Sequence, residues 1–144
     1  MIEYFFMKDQ KINSTNPSGQ KLNELLKYYQ SKRYLDAEKL ALSITKDFPK
    51  HIVAWKVLGI ILKKTGRINE ALLINQKSLE LEPTNIEANF NLGNTLQQLE
   101  RFEEAVLCYR KAISIKPDYI EAYNNLGATL QKIGKFEEAE SCYR

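Results

Sequence analysis

Histidine is nearly missing from this sequence: His51 is the sole one in 144 residues. Cysteine is almost as scarce, with only Cys108 and Cys142. A metal site of imidazole and thiolate ligands has too few members here, and two thiols without a second pair make no disulfide framework. His51 sits beside Pro49 and Lys50 and reads as a surface residue of a turn. The six glycines are scattered, so no glycine-rich loop is present to cradle a phosphate. No apolar run approaches the roughly 18 residues that span a bilayer, and no membrane partner is expected. The patch Tyr4–Met7 has no basic stretch before it and no small-residue cleavage site after it, which makes a poor secretion signal. A cytoplasmic location is therefore expected, and the glycosylation acceptor Asn13-Ser14-Thr15 is read as chance.

Charge of one sign is also short. The formal net charge is +3, too little to point to nucleic acid. It is uneven, since residues 1–66 carry twelve Lys/Arg against six Asp/Glu and residues 67–144 carry nine against twelve. This gradient is read as solvated surface, although it could orient a charged partner. No nucleic-acid partner is expected, because the aromatics fall at packing positions instead of alternating with exposed Lys/Arg.

What the sequence does have is a period. Asn125–Arg144 repeats Asn91–Arg110 with thirteen of twenty positions identical at an offset of 34 residues. Counting each unit from Ile52, Ile86 and Ile120, position 7 is Leu58, Leu92, Leu126 and position 8 is Gly59, Gly93, Gly127. Position 11 is Leu62, Leu96, Leu130 and position 17 is Ile68, Phe102, Phe136. Position 20 is Ala71, Ala105, Ala139, and prolines close the units at Pro49, Pro83 and Pro117. Cys108 and Cys142 share position 24's neighbour, position 23, which makes them small apolar packers of the repeat. Such a period is the mark of a stacked array.

Each unit reads as two helices. Ile52, Trp55, Leu58 and Leu62 follow the 3–4 spacing of an amphipathic helix. Gly66 and Gly134 stand where a helix needs a left-handed stop. The second helix starts near position 17, and its acidic first turn (Glu70; Glu103 and Glu104; Glu137 and Glu138) suits the positive end of the helix dipole. The next first helix is expected to open with a capping box, Thr84-x-x-Glu87 and Asp118-x-x-Glu121. Gly at position 8 and Ala at position 20 let the two helices approach closely. One such hairpin cannot bury its apolar side alone, so neighbours must stack. The expected fold is an all-α, right-handed superhelical solenoid of antiparallel helix pairs with a 34-residue period.

The strings Trp55-x-x-Leu58-Gly59, Asn89-x-x-Leu92-Gly93 and Tyr123-x-x-Leu126-Gly127, each followed by its alanine, resemble the tetratricopeptide repeat family. The resemblance covers residues 52–144 closely, as units 52–85, 86–119 and an incomplete 120–144. Residues 18–51 form a degenerate first unit: Tyr34, Ala37, Ile44 and Pro49 fit, but Glu24 and Leu25 replace the Leu-Gly pair. Its first helix is expected to rest on Leu22, Leu25, Leu26 and Tyr29. Unit two departs at Asn75 and Ser78, where an aromatic and an alanine are usual, so its contact with unit three is expected to be looser. Residues 1–17 end in the turn-rich "NSTNPSG" and are expected to be a flexible segment.

The resemblance implies a binding module for a protein or peptide, with the site on the concave face of the first helices. The candidates are Lys56, Ile60 and Lys63, with Lys64 beside them, in unit two; Glu87, Phe90, Asn91, Asn94, Gln97 and Gln98 in unit three; and Glu121, Asn124 and Asn125 in unit four. Two readings of the amides stay open. They are a row that pairs with both groups of a peptide unit, or they are polar surface. Asn91 and Asn125 recur at position 6, which resembles the asparagine ladder of the superhelical repeats of protein O-GlcNAc transferase. The alternative function is thus the substrate-recruiting N-terminal part of a larger enzyme such as a glycosyltransferase. The carboxylate clamp of co-chaperone repeats is not matched, because Ile60 and Glu121 stand where polar and cationic residues are needed.

No catalytic constellation is present in the sequence. Glu103-Glu104 and Glu137-Glu138 are adjacent on a helix and diverge. The segment is expected to be no enzyme and to need no cofactor or metal. Unit four stops inside its second helix without a polar cap, so the chain is expected to be part of a longer protein and to self-associate through that uncapped repeat. Gly93→Leu is expected to loosen or unfold the stack, since overpacking costs about 1–3 kcal/mol or more; a denaturant midpoint equal to that of the parent would contradict this.

Overall fold

Apolar residues at the helical spacing and prolines at the unit ends divide the chain into paired helices, and a computed structural model describes residues 16–144 in that form. Among the described residues there are eight helices: α1 Gly19–Gln30, α2 Tyr34–Asp47, α3 Ile52–Lys64, α4 Ile68–Leu81, α5 Ile86–Gln98, α6 Phe102–Ile115, α7 Ile120–Lys132 and α8 Phe136–Cys142. Each packs on the next in the chain, and α3 also meets α5, as α5 meets α7. The result is an all-α solenoid of helix pairs. Of the segment 1–17 expected to be flexible, only Asn16 and the buried Pro17 lie among the described residues; Asn13 lies outside them.

The helix ends repeat one device. Position 15 of every unit has a left-handed backbone: Lys32 (φ 60°), Gly66 (φ 81°), Glu100 (φ 59°) and Gly134 (φ 77°). The amide after it returns to a carbonyl five residues back, as in Arg67 N to Leu62 O (2.8 Å) and Arg101 N to Leu96 O (2.9 Å). This closes the first helix and turns the chain into the second. The residue that begins the turn out, Arg33, Arg67, Arg101 or Lys135, also pairs with the acid three places on: Asp36, Glu70, Glu104 or Glu138. The acidic first turns thus have a partner besides the helix dipole.

Two expectations are corrected here. The capping boxes do not form. The turn after each proline runs one residue further, with Asn85 N donating to Glu82 O (3.0 Å) and Tyr119 N to Lys116 O (3.1 Å). Asn85 therefore caps α5, accepting from Ala88 N at 2.9 Å, and Tyr119 precedes α7 without a side-chain cap. Leu26 is 42% exposed; α1 instead packs through Leu25, Tyr28 and Tyr29. Position 4 has a role that its varied residues hide. Trp55 Nε1 donates to Pro49 O (2.9 Å) and Asn89 Nδ2 to Pro83 O (3.1 Å), tying a first helix to the turn before it.

Inside a unit, the residue at position 24 lies over the backbone of position 8. A Cβ on Gly93 would stand 2.7 Å from Cε1 of Tyr109, and one on Gly127 would stand 2.6 Å from Cζ of Tyr143. Those rings leave no room for a methyl group, which is the reason for glycine. Unit one reverses the sizes: position 8 is Leu25 and position 24 is Ala41, both fully buried in one cluster. Its missing glycine is an exchange of bulk from one helix to the other.

Unit two has Asn75 at position 24, and the apolar core divides there. One cluster runs from Leu25 to Ala71, the other from Leu72 to Ala139. Across the division the buried Asn75 Nδ2 donates to Thr95 Oγ1 of α5 at 2.8 Å. The junction expected to be looser is bridged by this polar bond beside a cavity of about 420 Å³ between α3 and α5.

The left-handed turns yield a stability prediction. Lys32 and Glu100 adopt a backbone that costs an L-residue roughly 1–2 kcal/mol, while glycine costs about 0.5–1 kcal/mol in the unfolded chain. Among the described residues Glu100 has no ion pair to lose. Glu100→Gly is expected to raise stability by about 0.5–1 kcal/mol, read as a higher urea midpoint at unchanged slope; a lower midpoint would refute it.

Candidate functional site

In units two to four the first helices approach one another from unit to unit more closely than the second helices do. Their inward positions carry the candidate residues, and side chains link them across units. Lys56 of α3 pairs with Glu87 of α5. Asn125 Nδ2 of α7 donates to Asn94 Oδ1 of α5 at 2.8 Å. The same Asn94 oxygen accepts from the hydroxyl of Tyr109 at 2.8 Å, and that hydroxyl also lies 3.2 Å from Gln97 Oε1.

This network has a direction. Tyr109 is fully buried, and burial pushes its hydroxyl above the usual tyrosine range, so it stays protonated and donates. Donation at Asn94 Oδ1 fixes that amide with its NH2 group turned away. The bond from Asn125 Nδ2 likewise leaves Asn125 Oδ1 without a partner among the described residues. Asn94 Nδ2 and Asn125 Oδ1 are thus the amide groups of this linked pair left without a partner among the described residues. Asn91, by contrast, makes no side-chain hydrogen bond among the described residues; its carbonyl accepts from Thr95 Oγ1 at 3.0 Å.

Other candidates differ in what they touch. Phe90 is engaged in packing: its ring lies 5.9 Å from Tyr109 and 5.0 Å from Tyr119, both tilted. Glu121 and Asn124 are exposed and paired with nothing among the described residues. Ile60, Lys63, Asn91 and Gln98 come together with Gly59, Lys64, Asn75 and Thr95 around a cavity of about 420 Å³ between α3 and α5. Burial, and then the charge of Lys64, pushes the Lys63 ammonium below the usual lysine range.

Sequence reasoning passed over Asn75, Thr95 and Tyr109 as site residues. The signal for Asn75 was present, because it breaks the aromatic pattern at position 24. The role of Tyr109 follows only from its reach across Gly93. The cysteines are packers: Cys108 and Cys142 are half-buried against the second cluster, and burial holds the Cys108 thiol up at about 11. His51 is half-buried with its Nδ1 unpartnered, not on the open surface as expected. Among the described residues no group of three or more His, Cys, Asp or Glu could hold a metal ion, and no helix is long and apolar enough to cross a membrane.

Two family models match the chain. A TPR repeat model covers residues 93–134 and a tetratricopeptide repeat model covers residues 75–106. Together they support the tetratricopeptide repeat family for these units. No curated protein matches. Among solved structures, a crystal structure of MamA is similar at a TM-score of 0.83 and 22% identity, over 96% of this chain and 80% of that one. A crystal structure of MamA protein gives 0.80 and 22% over 85% and 67%. MamA 41-end from Desulfovibrio magneticus RS-1 gives 0.79 and 20% over 85% and 70%. At these identities the likeness is one of fold.

The Tyr109 hydroxyl can be tested alone. Tyr109→Phe keeps the ring on Gly93 and removes the donor, and is expected to cost about 0.5–1.5 kcal/mol for the lost hydrogen bond. The side-chain amide signals of Asn94 and Asn125 in an NMR spectrum should broaden as their orientation is released. Sharp, unshifted amide signals would show that Tyr109 does not hold them.

Proposed function

We propose that this chain is a protein-interaction module that holds an extended segment of a partner polypeptide along its first helices. The observation that carries the reading is the bond from Asn125 to Asn94, anchored by Tyr109. It leaves an amide donor and an amide acceptor beside each other on the inner face, which is the pair that a peptide unit needs. Preorganised groups bind without first losing rotamer freedom. The repeat matches and the MamA-like solenoid support a scaffold of this kind.

Asn91 is the second anchor, unbonded and half-buried on the same face. Lys56 with Glu87, and Glu121 beyond them, set the charge along the path. The recurrence of asparagine at Asn91 and Asn125 favours a second reading, in which the same face recruits substrate for a larger enzyme of the O-GlcNAc transferase type. That ladder stops at Val57, which is 8% exposed, so only two rungs support it. Self-association belongs to the same proposal: Ile120 and Phe136 of unit four are 69% and 64% exposed, and exposed apolar groups that form a patch invite contact.

The test uses peptides selected from a random display library on the whole chain. Asn91→Ala combined with Asn125→Ala is expected to weaken the binding of a selected, fluorescein-labelled peptide by about tenfold, as the loss of one to two hydrogen bonds implies. Helical circular dichroism should be retained. An unchanged dissociation constant in the folded double variant would sink the amide reading.

A further inference from the structure

The cavity between α3 and α5 is where unit two departs from unit three. In unit three the Tyr109 ring runs across Gly93, and its hydroxyl reaches Asn94 and Gln97, positions 9 and 12 of the unit. The same track in unit two runs from Asn75 across Gly59 to Ile60 and Lys63. No ring fills it. Asn75 is too short: its Oδ1 covers Gly59, at 2.2 Å from where a Cβ would stand, and its Nδ2 is turned to Thr95. The cavity of about 420 Å³ therefore includes the space that a tyrosine takes in the next unit, and Gly59, Ile60 and Lys63 line it.

Its chemistry is one-sided. Lys63 and Lys64 both line it, and neither has a carboxylate partner among the described residues, although Lys56 and Lys77 of the same unit do. No acidic residue lines the cavity. Asn91 and Gln98 stand on the opposite wall with amide donors that no protein group takes. A half-buried ammonium without a counter-charge has lost hydration and gained nothing in return. The Ile60 and Gly59 wall suits the methylenes of a side chain that enters from the concave face.

We propose that this cavity is a specificity pocket for an acidic side chain of the polypeptide docked along the first helices, with its carboxylate held by Lys63 and Lys64 and its stem over Gly59 and Ile60. The inference rests on the docking reading above. A charge-assisted bond to carboxylate is roughly twice as strong as a neutral one, so this pocket would set register on a face whose amides are indifferent to sequence. Asn75 is then the residue that opens the pocket, and its exchange for tyrosine would close it with the ring that units three and four already use.

The experiment selects a random dodecapeptide display library against the whole chain, against Asn75→Tyr and against Lys63→Gln. The parent is expected to enrich Asp or Glu at one register position. Both variants are expected to select peptides without that preference. Changing the enriched acid to its amide in one selected peptide should weaken binding to the parent by about tenfold and leave binding to Asn75→Tyr within about twofold. A parent pool without an acidic position, or a preference that survives both variants, overturns the pocket and leaves the docking reading standing. Failure of all three proteins to select any peptide overturns both. Melting by circular dichroism checks the fold of Asn75→Tyr, and should it fail to fold, Lys63→Gln decides the matter by itself.

Discussion

A side chain laid across a bare stretch of backbone holds each helix pair at its distance, and the rest of the stack takes its spacing from that contact. In units three and four it is a tyrosine ring on glycine, Tyr109 on Gly93 and Tyr143 on Gly127. The contact is intolerant of added bulk on one side and of lost bulk on the other. Where both sides change together it survives, as with Leu25 and Ala41 in unit one. Interiors are packed to crystal density, so volume must be conserved across the pair but need not sit on a given helix. The alanines at position 20 (Ala37, Ala71, Ala105, Ala139), all nearly without exposure, are the constant that makes such exchange possible.

Unit two keeps the glycine and loses the ring, and several features follow from that one substitution. The apolar core splits into two clusters at α4. A buried amide must then find a partner, since an unsatisfied one costs about 1–3 kcal/mol, and Thr95 supplies it. Thr129 stands at the matching place in unit four, where no such amide faces it, and turns its hydroxyl to Asn125 O at 2.7 Å. Thr95 does the same with Asn91 O while also accepting from Asn75. The threonine is thus a helix-satisfied hydroxyl that can serve a polar neighbour without rearranging. Volume that the ring would fill is left as a cavity opening to the inner face, so a packing change becomes a surface feature.

Much of this fold was legible in the sequence because repetition multiplies weak signals. Helix starts at Ile52, Ile68, Ile86, Phe102, Ile120 and Phe136 match the apolar register to the residue. The stops at Gly66 and Gly134 were legible from glycine's freedom at positive φ, whereas the same stops at Lys32 and Glu100 were not, because neither residue type announces a left-handed turn. There the tertiary contact of the second helix overrides local preference. The capping boxes failed for a related reason: cap motifs are short, and a turn longer by one residue moves the cap from Thr84 to Asn85. For the candidate face, the row of amides could be placed on one side of α5 and α7, but not their bonding. Which of Asn91, Asn94 and Asn125 is engaged depends on a hydroxyl arriving from α6, fifteen residues beyond Asn94, and no periodicity within a first helix encodes that.

The engagement of these amides bears on recognition itself. An amide free in water must give up its solvent and its rotamers before it holds a peptide. Asn94 and Asn125 have given up their rotamers already, to each other and to Tyr109, during folding. The tyrosine that holds them is the one that spaces the helices. Stability and the arrangement of these amides are therefore coupled through Tyr109. A change that loosens the ring contact in unit three will disorder the inner face even when the helices persist. In unit two the coupling is cut, since no ring reaches Ile60 and Lys63, and the chemistry there is set by charge instead of by a fixed amide. The two halves of this face thus differ in kind: one holds a polar pair linked by internal bonds, the other an open, basic hollow.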